Sequence, residues 1–238
     1  MRDSSTNPIR RPRPSAAAFS LTDLLVIVAV LSVLVACAIA TTSRIGAKTK
    51  LAQCLSNLRQ VNQAVLKFAA DRQQTLPDVE GCPAPGGWWW YKELVKGHAG
   101  LTGESSANDL VFACPDDRGY GEEPGGPKPF CRSARHDFTS YVFNGVNLPG
   151  IPNVANRKLA SIQAPERTLL VMEWTAHAPL SWHRSRTGRA NAPFYNNAES
   201  TVGFVDGHAA LVKIYYDGLN AAFTRDPVPG YDYKYSGD

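Results

Sequence analysis

Few side chains in this sequence have the types and spacing that chemistry needs. Glu173 with His177 and His183, and Asp206 with His208, pair carboxylates with imidazoles, the material of an acid–base or metal site. Asp116, Asp117, Glu122 and Glu123 sit in a Gly/Pro-rich stretch, where carboxylates could hold Ca2+. Trp88-Trp89-Trp90-Tyr91 could stack a sugar, touch lipid headgroups, or plug the space between a sheet and a helix. Of the five cysteines, Cys37 lies in an apolar run, and Cys54, Cys82, Cys114 and Cys131 allow three disulfide pairings. Zinc finds no support in spacing: there is no Cys-x-x-Cys, and no His stands close to a cysteine pair. The sequence also lacks Gly-x-Ser-x-Gly, Gly-x-x-x-x-Gly-Lys and His-Glu-x-x-His. A Glu that ends a strand and histidines in polar loops read as surface residues, and the acidic loop reads as solvated charge. The expectation is a non-enzymatic protein without cofactor or resident metal, with Asp116 and Asp117 only weak Ca2+ candidates.

The elements that would position these residues divide at Pro77. Residues 24–40 form an uncharged run interrupted only by Ser32, with arginines upstream, and predict a membrane helix whose basic flank stays cytoplasmic. A secretory signal competes for the same run, with small residues near Ala36 and Ala38 for a peptidase. Apolar residues at Leu51, Leu55, Leu58, Val61, Val65 and Phe68 or Ala69 then step by threes and fours, which predicts a helix with one buried face. No proline falls between Pro14 and Pro77, so one helix from about Phe19 to Asp71 is expected, with Gly46 the natural place to bend. Past Pro77, short β-branched and aromatic runs at 110–113, 140–143, 168–173, 201–205 and 209–215 predict strands, and Asp206-Gly207 predicts a hairpin between the last two. The tail from Arg225 reads as an extended strap or a disordered end.

The N-terminal residues carry a resemblance. Ala18-Phe19-Ser20-Leu21-Thr22-Asp23-Leu24-Leu25-Val26 resembles the processing signal of type IV pilins and type II secretion pseudopilins. The resemblance implies cleavage between Ala18 and Phe19 by a prepilin peptidase, methylation of Phe19, and a role for Asp23 in pairing with the α-ammonium of a neighbouring subunit. Ala18 replaces the usual Gly, and Asp23 the usual Glu. Residues 52–61, 68–71, Phe112-Ala113-Cys114-Pro115-Asp116, 140–145, 165–168 and Gly203-Phe204-Val205-Asp206-Gly207-His208 are similar, in order, to pilin-like proteins abundant in planctomycetes and verrucomicrobia. That group is named for a His, nine residues and an Asp-Gly. Here the nearest preceding His is His183, with 22 residues between it and Asp206, so 189–199 reads as an insertion or that His is absent. The resemblance places the helix cysteine near the Cys-Pro, implying Cys54–Cys114, with Cys82–Cys131 as the second expected pair.

Taken together, the expectation is an α+β, pilin-like fold: leader 1–18, transmembrane half 19–41, amphipathic half 42–76, an extracytoplasmic antiparallel sheet domain over 77–224, and a tail over 225–238. At 238 residues, 44% hydrophobic and 19% charged, the chain can bury one good core and is not a disordered tract. Arg2, Arg10, Arg11, Arg13 and Asp3 all precede residue 19, so loss of the leader removes three of the four net positive charges and any case for nucleic acid. The implied function is a subunit of a type II secretion pseudopilus or type IV pilus-like fibre. Its partners would be other subunits, the prepilin peptidase, an assembly platform and the lipid bilayer of the cytoplasmic membrane. A membrane-anchored binding module or enzyme is the alternative.

Overall fold

The computed structural model describes residues 21–79, 87–121, 128–146, 150–184, 194–218 and 225–238, with the side chains of Asp23 and 35–45 outside that description. Ala18, Phe19, Cys82, Glu122 and Glu123 lie outside the described residues, as does the side chain of Asp23. The backbone is helical from Leu21 to Asp71 (α1), and the chain divides into two compact units at Gly46. In the first unit Leu21 and Leu24 to Leu34 are exposed on every side of the helix, the large apolar ones by 44% to 76%. Among the described residues no helix is long and apolar enough to cross a membrane; the expected run at 24–40 extends into the side chains outside the description.

In the second unit the rest of α1 lies on a four-stranded antiparallel sheet of order β1-β2-β3-β4, built from Tyr141–Phe143, Leu169–Glu173, Ala198–Phe204 and Ala209–Ile214. A mixed α+β architecture was expected and is found. Leu58, Val61, Val65, Phe68 and Ala69 are buried as their spacing requires, each large one contributing roughly 1.5–3 kcal/mol. The buried stripe also takes in Asn57 and Asn62, which an apolar pattern passes over. Asn62 Nδ2 donates to the carbonyls of Phe204 (3.2 Å) and His208 (3.3 Å), tying the helix to the β3–β4 hairpin. Gly203 makes that approach possible, since a Cβ there would stand 2.2 Å from Asn62 Nδ2.

One expectation is corrected, and one left open between two alternatives is decided. Residues 110–112 form a 3-10 turn rather than a strand, because the carbonyls of Leu110 and Ala113 accept from Asn57 Nδ2 (3.0 and 2.8 Å) where a strand would need a neighbouring strand. The tail is a strap and not a loose end. Lys234 bridges Thr168 in parallel, and Val228, Tyr233 and Tyr235 are buried, with Asn144 Nδ2 donating to the carbonyl of Tyr235 at 2.7 Å.

Candidate functional site

The largest concentration of reactive side chains forms where α1, the turn at 110–114, the end of β2 and the loop after it meet. Cys54 on α1 is disulfide-bonded to Cys114, with a Cα–Cα distance of 4.9 Å. Three hydrogen bonds hold that pair in place. Asn57 fixes the turn before Cys114, the Cys114 N–H donates to Ser140 Oγ (2.9 Å), and Tyr141 Oη donates to the Cys54 carbonyl (3.2 Å). Tyr141 stands opposite Glu173 in the β1–β2 register, so the sheet delivers Glu173 to the same place. The chain leaves β2 after Glu173 and returns with His183, whose Nε2 lies 2.9 Å from Glu173 Oε1 and 3.8 Å from Cys114 Sγ.

Each member is oriented by a further partner. Glu173 Oε2 accepts from the Thr201 N–H (3.0 Å), which leaves Oε1 aimed at His183. Asp116 Oδ2 stands 3.1 Å from His183 Nδ1, and Asp116 Oδ1 accepts from Lys50 Nζ at 3.1 Å. The side chains of Glu173 and His183 are 0% and 2% exposed, which overturns their reading as surface residues. Strand β2 is covered on both faces, so its last residue cannot reach solvent, and the following loop folds inward rather than out. Burial alone would pull the His183 imidazole down. The charge and hydrogen bond of Glu173, joined by those of Asp116, outweigh it and hold the group above its ordinary value. Glu173, His183, Asp116 and Lys50 thus form one connected polar network beside a disulfide.

The remaining candidates are dispersed. Asp117 does not share a ligand site with Asp116: its Oδ1 accepts from Gly119 N–H (2.8 Å), and its Oδ2 from Cys131 N–H (2.9 Å) and Ser140 Oγ (2.7 Å). Burial pushes its carboxyl up despite those bonds. Cys131 forms no disulfide among the described residues, and burial and the Asp117 charge raise its thiol to about 11. Asp206, Gly207 and His208 make the β3–β4 turn, with Gly207 at φ 95° and Asp206 Oδ1 accepting from the His208 N–H (3.0 Å). His177 stays apart from Glu173, packed between the rings of Trp88 and Tyr235. Trp88 and Trp89 pack on Trp174, and Tyr91 is buried against Phe112 and Phe143.

Sequence reasoning named Glu173 and His183 together, but its zinc test looked only for short spacing. The two disulfide sulfurs, His183 and Glu173 converge from positions as far apart as 54 and 183, and their ligand atoms lie within 4.8 Å of one another. The available signal was the pairing of Glu173 with His183 as a possible acid–base or metal site; nothing in the spacing joined Cys54 or Cys114 to it. Comparison with protein-family models, with curated proteins and with solved structures found no match.

Proposed function

We propose that this chain is a pilin-like structural subunit, cleaved before Phe19, held in the cytoplasmic membrane by its N-terminal helix, and assembled through that helix into a type II secretion pseudopilus or type IV pilus-like fibre. One observation carries the reading. From Leu24 to Leu34 the helix, apolar but for Ser32, is exposed on all sides, and such a helix is stable only among lipid chains or other helices. The processing-like sequence around Ala18 and Phe19 stands immediately before it. Further along the same helix the backbone joins a sheet domain closed by a disulfide, a bond suited to an extracytoplasmic compartment. The site residues Glu173 and His183 act in this reading as a hydrogen-bonded staple beside that disulfide.

The test is the N-terminus of protein extracted from membranes. Peptide mass analysis should find a chain that begins at N-methylated Phe19. A start after Ala38 or Ala40 would assign the run to a secretory signal and end the pilin reading.

A further inference from the structure

We propose that reduction of the Cys54–Cys114 disulfide opens a binding site for one zinc-like divalent cation, with Cys54, Cys114, His183 and Glu173 as its ligands. The inference is independent of the pilin reading. It rests on donor chemistry: two sulfurs, an imidazole nitrogen and a carboxylate oxygen are the ligand types zinc takes, here in the number that a closed tetrahedral site needs. The distances are close to what such a site needs. In a tetrahedron with zinc bond lengths the ligand-to-ligand edges run about 3.3–3.8 Å. His183 Nε2 stands 3.8 Å from Cys114 Sγ, at the edge of that range, and 2.9 Å from Glu173 Oε1, below it, so the ion must part the two sulfurs and move Glu173 Oε1 back from the imidazole.

The surroundings are those of a metal ligand set. His183 presents Nε2 to the cluster and Nδ1 to Asp116 Oδ2, the carboxylate–histidine arrangement that fixes which nitrogen is free to bind. Asp116 is itself held by Lys50, and Glu173 by the Thr201 N–H, leaving Oε1 for the ion. A cleft of about 540 Å³, lined in part by Asn57, Leu110, Cys114 and Cys131, reaches the disulfide and offers an entry path. The electron balance is simple. A dithiol donates two electrons and two protons to the S–S bond, yielding two thiols and its own disulfide. The cation then displaces both thiol protons, and any proton carried on His183 Nε2, to solvent, and binds two thiolates, neutral His183 through Nε2 and the Glu173 carboxylate. Oxidation and metal binding therefore exclude each other at this site.

The experiment uses the full chain in detergent, reduced with a phosphine and desalted without oxygen, with Co2+ as the spectroscopic probe. Reduced protein should take up one Co2+ per chain, with a thiolate-to-cobalt charge-transfer band and the strong visible bands of tetrahedral cobalt, both erased by Zn2+. Oxidised protein should give neither. Cys54→Ser with Cys114→Ser should abolish the charge-transfer band, His183→Gln should shift the visible bands and weaken affinity at least about 10-fold, and Asp116→Asn should weaken it roughly 10–100-fold. No charge-transfer band in reduced, folded protein would overturn the proposal. So would a band that survives the double cysteine variant, which would assign it to other cysteines, or spectra unchanged in His183→Gln. If reduction alone unfolds the domain by circular dichroism, refolding on addition of Zn2+ supports the site and failure to refold overturns it.

Discussion

The segment Leu21–Leu34 and the stretch of the same helix from Cys54 to Ala69 make opposite use of their side chains. The first is apolar apart from Thr22, Asp23 and Ser32 and exposes every large residue described; the second places apolar residues on one face and buries Asn57 and Asn62 among them. A helix of the first kind has no stable solution in water by itself, whereas the second is complete within its own chain, with each buried amide donating to a named carbonyl. One helix thus carries a surface that needs partners and a surface that already has them. The difference separates mutations that alter association from those that alter folding.

Asp23 provides the largest expected contrast. On the proposed reading its carboxylate meets the Phe19 ammonium of the next subunit, and removing it leaves an ammonium alone among apolar chains, at a cost of several kcal/mol per subunit. Asp23→Ala should lower the yield of sheared polymer by roughly tenfold or more, while membrane-fraction abundance and the melting of the sheet domain stay unchanged. Asp23→Glu should assemble. Normal polymer from Asp23→Ala would show that the two halves of the helix do not divide association from folding in this way.

The reverse experiment is made at the other end of the comparison. Cys54 and Cys114 close a loop with a sequence separation of 60, for which lost chain entropy corresponds to about 4 kcal/mol of stability. Replacing both by Ala should lower the unfolding free energy of the metal-free domain by that order, read from denaturant midpoints. Processing at Phe19 should be unaffected. A loss below ~1 kcal/mol would mean that the Lys50–Asp116–His183–Glu173 network holds helix to sheet without the covalent bond.

What the sequence made legible follows from the same contrast. Periodic apolar residues announce a buried face whatever lies opposite, so α1 and the positions of β1 to β4 could be read from spacing, and Asp206-Gly207 from turn chemistry. Buried polar residues announce nothing by themselves. Asn57 is buried because the turn at 110–113 offers two carbonyls, and Glu173 because Thr201 and His183 arrive from strand and loop far along the chain. Local pattern therefore read 110–113 as a strand and Glu173 as a surface acid. Cys54–Cys114 was reached through the resemblance and not through spacing.

A smaller effect probes the close approach of helix to hairpin. Gly203→Ala would force Asn62 away and loosen its bonds to Phe204 and His208, costing about 2 kcal/mol. Asn62→Ala alone should cost on the order of 1–2 kcal/mol. The double variant should lose about 1 kcal/mol less than the two single losses combined, because the clash disappears with the side chain that causes it. Strict additivity in a denaturant-based double-mutant cycle would show that Asn62 and Gly203 do not limit one another.

The last effect concerns pH and a histidine that burial keeps neutral, His177. His177 is held at about 3 by desolvation, against an ordinary value near 6.5. Above pH 6.5 the imidazole is neutral folded and unfolded alike, and it contributes no pH dependence. Below that, the unfolded chain binds a proton that the folded one refuses, so stability falls by about 1.4 kcal/mol per pH unit until pH approaches the folded value. The groups stacked on it, the Trp88 indole and the Tyr235 phenol, carry no charge in this range, because burial pushes the phenol well above 10. His177→Phe retains a ring in that stack and removes the titration. Between pH 7 and pH 5 the stability of the parent should fall relative to this variant by about 2 kcal/mol. Measured by denaturant unfolding at both pH values, parallel losses in the two proteins would place a proton on His177 in the folded state and transfer the acid sensitivity of the domain to other groups.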